Sequence, residues 1–212
     1  MGYETDGLPQ DHQPNLVGRQ ADPGRRHQTA GQIVTRHGEL AAELIERMDR
    51  DQQARSEATD RVSGDDLWAR LQEIDTDNTR WLTQIIDRHG WPRRGDVGKD
   101  AATAAWLLAQ HADRDPDLQR RCLGLLEQAV RDGEAEPSHL AYLTDRILRA
   151  EGRPQRYGTQ FWYGPDGTGP LQPQPIEDPQ HLDERRRSVG LGPFDEYADQ
   201  LRQQESEDHR RH

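Results

Sequence analysis

Charged side chains occur in this sequence at positions where a helical pattern predicts buried apolar residues. In the segment 40–55, Leu44 and Met48 recur at helical spacing. The same stripe continues into Asp51 and Arg55, which lie four residues apart and can pair. An unpaired buried polar group costs on the order of 1–3 kcal/mol, so such residues need partners inside the fold. Asp51 and Arg55 are therefore candidates for binding a polar substrate, although an exposed pair at the end of a helix would have the same spacing.

Polar residues also lie within or beside three further apolar stripes. In a helix predicted over 66–88, Asn78 lies inside the stripe and Asp75 beside it. Gln110 and His111 close the apolar segment 100–112, and Asp145 and Arg146 flank the stripe of a helix predicted over 137–152. Each of them alone is also typical of a surface residue or of a satisfied core residue. Because several buried polar groups must share partners or a hydrated cleft, we expect them to meet in one polar cluster between helices.

A loop-like segment adds further polar groups. Gln155, Tyr157 and Gln160 place two amides and a phenol within six residues. Such a segment offers many donors and acceptors to a ligand, although a strand whose polar residues face water would have the same composition.

Acid–base catalysis is the chemistry that this set of residues indicates first. Histidine titrates near neutral pH, so His111 is the candidate proton-transfer group, with Asp113 or Asp145 to orient it. Arg55 or Arg146 would hold a carboxylate or phosphate of the substrate. The predicted substrate-binding residues are Asp51, Arg55, Asp75, Asn78, Gln110, Arg146, Gln155, Tyr157 and Gln160. Hydrolysis and intramolecular cyclisation of a small polar or peptide-like substrate would both fit.

Other chemistries have less support in the sequence. The possible metal ligands are His89, His111, His139 and Asp113, but no His-x-x-x-His or Glu-x-x-His pair lies on one helix face. We therefore expect neither a metal nor another cofactor. Cys122 lies in an apolar run and is predicted to be a buried, unreactive thiol. There is no Gly-x-Ser-x-Gly elbow and no phosphate-binding loop of the Gly-Lys-Ser/Thr type.

A protein that binds a ligand or another protein without catalysis is the alternative. An enzyme would bring His111, Asp145, Arg55 and Gln160 together in a concave pocket. A binding module would instead bury these groups in closed pairs and expose an apolar patch.

The composition limits the kinds of partner. The 212 residues carry 39 acidic and 28 basic side chains, a formal net charge of −11, which disfavours general binding to nucleic acid. No signal peptide or membrane span is recognisable, so we expect a cytoplasmic protein that does not bind membranes. A small polar or anionic ligand is the expected partner, and the oligomeric state stays open.

The elements that would position these residues are mainly helices. Apolar spacing, caps and breakers predict about six to seven of them, at about 32–57, 66–88, 100–112, 116–133, 137–152, 178–190 and 193–203. A short β-hairpin or ordered loop is predicted near 155–176, where aromatic residues and a Gly-Pro-Asp-Gly turn replace the helical pattern. The expected organisation is a single helical-bundle domain over 31–202, with disordered tails at 1–30 and 203–212.

The chain resembles the bacterial proteins grouped as domain of unknown function 6624. The segments that carry the resemblance are 43–55, 74–79, 89–92, 105–113, 142–146, 154–160, 183–186 and 189–191, which include the Gly-Trp-Pro, Gln-His-Ala-Asp and Tyr-Gly-Thr-Gln motifs. The resemblance covers about 40–202. It implies that the polar residues of these motifs form a site, and it supplies no chemistry, because the family is defined without a function.

Overall fold

A computed structural model of the chain describes residues 37–60, 65–164 and 167–211. The described residues are mainly helical with one small antiparallel sheet, which confirms the predicted fold class. The helices are α1 (Gly38–Asp60), α2 (Asp65–His89), α3 (Arg94–Val97), α4 (Lys99–Gln110), α5 (Pro116–Arg131), α6 (Pro137–Ala150), α7 (Leu182–Ser188) and α8 (Phe194–Arg211), and the strands are β1 (Phe161–Trp162) and β2 (Gln172–Pro173). The N-terminal tail predicted at 1–30 lies outside the described residues.

The chain divides into two compact units, and the division falls inside α6, between Leu143 and Thr144. Each unit is described by itself below, and the single domain over 31–202 stays a prediction. None of the helices in the described ranges combines the length and the apolar character of a membrane span.

The first unit is built around α4, whose sequence is apolar on nearly all sides. Ala104, Ala105, Leu108 and Ala109 are all almost completely buried. Helices α1 and α2 pack against α4 and against each other. Three helices therefore converge, and they bring together residues that are far apart in the sequence.

The second unit contains the small sheet, in which Phe161 pairs with Pro173 and Trp162 with Gln172. Phe161 packs in a small core with Leu171, Ala198 and Leu201. A glycine is required at position 158, where φ is +67° and an added Cβ would lie 2.8 Å from the ring of Phe194.

Two elements of the second unit differ from the sequence prediction. The helix predicted over 178–190 is a 3₁₀ turn at Pro179–His181 followed by α7. The last helix was predicted to end near 203 with a disordered tail beyond it, whereas α8 continues to Arg211. The apolar stripe ends at Leu201, but Gln, Glu and Arg are good helix formers and can extend a helix without an apolar stripe. An ion pair between Arg202 and Asp199, at 3.0 Å, supports this exposed part.

Candidate active site

Four predicted site residues meet in the first unit. Asp51 and Arg55 come from α1, Asp75 from α2, and His111 directly follows α4. The Nδ1 atom of His111 lies 2.8 Å from Oδ2 of Asp51. The guanidinium of Arg55 lies 3.2 Å from Oδ1 of Asp51 and 2.5 Å from Oδ1 of Asp75. These four residues are called the ionic cluster below.

Local structure explains how His111 reaches this position. The helix α4 ends at Gln110, and His111 has φ −90° and ψ 4°, so the chain turns away from the helix there. The buried amide of Gln119 donates hydrogen bonds to the carbonyl oxygens of Ala109 and Gln110 and to Oδ1 of Asp113. These bonds hold the turn, and with it the backbone of the histidine.

The hydrogen bonds of the cluster define a tautomer of His111. Its Nδ1 atom lies within hydrogen-bond distance of both Asp51 Oδ2 and the Nε atom of Arg55, at 2.8 and 3.1 Å. Arg55 Nε can only donate, and it also lies 3.2 Å from Asp51 Oδ1. The consistent assignment is that Nδ1–H and Arg55 Nε–H both donate to Asp51, which makes Nε2 the histidine atom that gains or loses a proton.

The environment of Asp51 keeps its carboxyl ionised. Its side chain is fully buried, whereas that of His111 is 12% exposed. Burial alone would raise the pKa of Asp51, but the charges and hydrogen bonds of His111 and Arg55 outweigh burial and hold the pKa well below its usual range. The side-chain amide of Gln52 also donates a hydrogen bond from Nε2 to Asp51 Oδ2, at 2.9 Å. A buried, permanently charged carboxylate beside the imidazole stabilises the protonated form of His111.

Asp75 behaves differently from Asp51. Burial raises its pKa to about 6, the neighbouring charges of Asp51 and Asp113 act in the same direction, and the contact with Arg55 opposes them. The pKa values of the two carboxyls in the cluster are therefore shifted in opposite directions by their surroundings.

A cleft of about 440 Å³ opens beside the cluster. Its volume lies within the usual range for small-molecule sites. Its walls are formed by Asp75, Thr76, Thr79, Arg80, Thr83, Gln84, His111, Arg114 and Asp115. Asp75 and His111 thus belong both to the ionic cluster and to the wall of the cleft, so a bound ligand would reach both of them.

The cluster could also hold a metal ion. One ligand atom each from Asp51, Asp75 and His111 lies within 4.8 Å of the others. Arg55 contacts all three residues and already supplies a positive charge there, so a cation would compete with its guanidinium. Of the possible metal ligands predicted from the sequence, His139 has no role here that the structure shows, because its ring stacks on Trp106 at 4.0 Å.

Asp145, predicted as a catalytic residue, is bonded within the second unit. Its buried carboxylate accepts hydrogen bonds from the backbone N–H groups of Arg156, Tyr157 and Thr159 and from the Thr159 hydroxyl. Burial raises the pKa of Asp145, and these hydrogen bonds oppose the shift. These four donors tie the carboxylate of Asp145 to the 156–159 loop.

The predicted substrate residues of the second unit show similar bonding. The side chain of Gln155 donates hydrogen bonds to the carbonyl oxygens of Gln160 and Gln174. Its oxygen accepts one from the Gln160 backbone N–H, so this side chain bonds to backbone groups as a neighbouring strand would. The Gln160 amide donates to the Thr159 hydroxyl. The aromatic ring of Tyr157 lies 5.9 Å from the guanidinium carbon of Arg156. Arg146 is buried.

The buried Arg186 was not predicted from the sequence. It donates to the carbonyl oxygens of Tyr157 and Gly192 and lies 5.0 Å from the ring of Tyr197. It therefore also fixes the 156–159 loop.

Three other predicted residues of the first unit lie outside the ionic cluster. Asn78 is buried and accepts a hydrogen bond from Arg47 at 3.0 Å. Gln110 is buried, and its Oε1 atom has no hydrogen-bond partner within the described residues. Asp113, predicted to orient His111, is exposed and accepts a hydrogen bond from Gln119. The carboxylate that directly contacts the imidazole is that of Asp51 instead.

Apart from Asp75 and His111, the residues of the cleft wall were not predicted from the sequence. Thr76, Thr79, Arg80 and Thr83 recur with helical spacing on one face of α2. This polar stripe beside the apolar one was a usable signal, because it begins next to Asp75. Arg114 was hidden in an irregular turn, where periodicity gives no information.

The fold and the cluster define a mainly helical protein with a buried Asp–His contact at the wall of a cleft. Its sequence matches the profile of a family of unknown function, DUF6624, over residues 38–206. The chain belongs to this family, as the motifs indicated. No curated protein and no solved structure matches the chain.

Proposed function

We propose that this protein is an enzyme that carries out acid–base chemistry on a small polar substrate, with His111 as the proton-transfer group. The observation that carries the proposal is the 2.8 Å contact between His111 and the fully buried Asp51 at the wall of the cleft. A carboxylate in this position fixes the ring and stabilises the imidazolium that forms when Nε2 takes a proton. The sequence had assigned this orienting role to Asp113 or Asp145.

A surface pair in the same chain shows what is special about this contact. His181 Nδ1 also lies 2.8 Å from a carboxylate, that of Asp178, but the two side chains are 56% and 52% exposed. Water screens that pair, and a flexible exposed pair contributes little. The pair of Asp51 and His111 has the same contact distance but is buried, so its charges act at much lower dielectric.

The two ionisable groups of the cleft wall support a reaction with two proton transfers. His111 accepts a proton from the nucleophile, either water or a group of the substrate itself. Asp75, whose pKa is about 6, then donates a proton to the leaving group. Water as nucleophile gives hydrolysis, and an internal nucleophile gives cyclisation. Arg55 is a positioning residue in this scheme, since its guanidinium bonds to both Asp51 and Asp75.

The proposal is tested by comparing the wild type with His111→Gln. Each protein is incubated with a small-molecule cell extract, and mass spectrometry identifies compounds that the wild type consumes. We expect His111→Gln to consume them at least about 100-fold more slowly, the usual contribution of a general base. His181→Gln is the matched control, because it removes the same contact at the surface, and it should retain wild-type activity.

A second measurement does not need the substrate. Nitrogen NMR should show that neutral His111 carries its proton on Nδ1, as the hydrogen bond to Asp51 requires. An Nε2–H tautomer at His111, or equal consumption by wild type and His111→Gln, would contradict the proposal. Equal consumption would favour a ligand-binding protein without catalysis.

A further inference from the structure

The charged residues of the cleft differ in whether they form ion pairs. The carboxyl of Asp75 is paired with Arg55 at 2.5 Å, and that of Asp115 accepts the backbone N–H of Leu118 at the start of α5, at 2.9 Å. Both acids thus have a hydrogen-bond donor, and for Asp75 that donor is a cation.

Arg114 and Arg80 carry the positive charge of the cleft. Arg114 donates through Nη1 to the neutral amide oxygen of Gln72, at 3.1 Å. In the described ranges neither Arg114 nor Arg80 forms an ion pair. The nearby Asp77 pairs with Arg47 at 2.7 Å, and the charge of Arg80 acts on it only as a weaker influence that lowers its pKa. Both are exposed in the same cleft wall as His111. In a chain with a net charge of −11, the cleft therefore presents two exposed guanidinium groups that form no ion pair with a described residue.

The threonine hydroxyls of the cleft indicate a second kind of group on the ligand. Thr76 donates its hydroxyl proton to the carbonyl of Gln72 at 2.6 Å, and Thr83 donates to that of Thr79 at 2.9 Å. Because these protons point into the helix, the oxygens can only accept further hydrogen bonds. They suit a ligand that carries hydroxyl or amine donors.

We propose that the cleft binds a small oxyanion, a carboxylate or a phosphate ester, that also carries hydroxyl or amine groups. Arg80 and Arg114 hold the oxyanion, since guanidinium groups match carboxylate and phosphate oxygens in geometry and charge. This assignment replaces Arg55 as the anion-binding residue, because Arg55 is already bonded to the cluster. The inference rests on the proposed function in that it names the substrate class of His111.

The test measures binding without turnover. Inorganic phosphate, malate and succinate are titrated by calorimetry into the full-length wild type, Arg80→Gln, Arg114→Gln and the double variant. We expect the wild type to bind phosphate or malate with a Kd on the order of 1 mM, and each single variant to bind about tenfold more weakly. Malate should bind more tightly than succinate, because only malate has a hydroxyl to donate to the threonines. Phosphate and malate distinguish the two kinds of oxyanion.

Arg88→Gln is the matched control, because Arg88 is an exposed arginine of the same helix that does not line the cleft. It should bind like the wild type. No binding of either oxyanion at about 50 mM, or wild-type binding by the double variant, would overturn the inference. The calorimetric experiment does not depend on catalysis. If the wild type binds an oxyanion but consumes no compound in the extract experiment, the proposal of an enzyme is rejected and the anion site is kept. If compounds are consumed but neither oxyanion binds, only the anion site is rejected.

Discussion

At the scale of single residues, the central feature is that two carboxyls of one cluster have opposite proton affinities. Asp51 is bonded to Arg55 and His111 and stays ionised, whereas burial dominates at Asp75 and raises its pKa to about 6. The difference comes from position alone, since the residue type is the same.

The raised pKa of Asp75 has a consequence for stability. In the unfolded chain the pKa of Asp75 lies near its usual value of 3.8, so the folded chain binds the proton of this carboxyl more tightly than the unfolded chain does. The contribution of Asp75 to the free energy of unfolding is therefore fully present below about pH 4 and is lost as the pH rises through about 6. We expect the unfolding free energy of the wild type, relative to Asp75→Asn, to fall by on the order of 2–3 kcal/mol between pH 4 and pH 7.

Urea unfolding across this pH range measures the difference. Asp87→Asn is the control, because Asp87 is exposed and pairs with Arg121 at the surface, and its unfolding free energy should stay within about 0.5 kcal/mol of that of the wild type. A constant difference between wild type and Asp75→Asn would show that Asp75 titrates normally.

The sequence predicted which residues belong to the ionic cluster better than it predicted which of them contact each other. Asp51, Arg55, Asp75 and His111 were all marked by polar side chains in apolar stripes, and the structure brings them together. The contact between Asp51 and His111 joins residues 60 positions apart. Helical spacing places a residue on a face of its own helix but does not say which other helix that face meets, so Asp113 or Asp145 was predicted to orient His111 instead of Asp51.

At the scale of elements, Asp145 links α6 to the 156–159 loop with four hydrogen bonds from backbone and hydroxyl donors. Asp145→Asn would put amide hydrogens against backbone N–H groups. We expect a loss of about 2–4 kcal/mol in unfolding free energy, since bonds to a buried charged acceptor are lost together.

Urea unfolding of Asp145→Asn tests this role. The exposed Glu184→Gln on α7 is the control and should stay within about 0.5 kcal/mol of the wild type. If Asp145→Asn were equally neutral, the carboxylate would not be what holds the loop.

The long helices were predictable because their apolar spacing extends over several turns. α3 was not predicted, because its four residues, Arg94–Val97, are too few to show a period. The far end of α8 was missed for a different reason: among its described side chains, none beyond Leu201 is fully buried, so the apolar pattern does not extend into it.

At the scale of the whole molecule, the balance of charge sets how a ligand approaches. An acidic chain repels anions at long range, and the arginines of the cleft attract them only at short range. Salt weakens both effects, so the dependence of anion affinity on ionic strength should be shallow.

The single cysteine of the chain is shielded from solvent. Cys122 is completely buried, and burial raises the pKa of its thiol to about 12. We expect a thiol reagent such as dithionitrobenzoate to react at least about 100-fold more slowly with the folded protein than with the urea-unfolded chain. Rapid reaction under native conditions, followed by absorbance, would show that this part of α5 opens readily.

Because Cys122 is buried, the folded protein can be labelled at a single introduced cysteine. A cysteine introduced at Gln84, on the exposed edge of the cleft, would be the one thiol that a maleimide dye reaches in the folded protein, and Cys122 would not have to be replaced. Fluorescence from that position would report the arrival of small molecules in real time, including molecules whose conversion has no colour of its own.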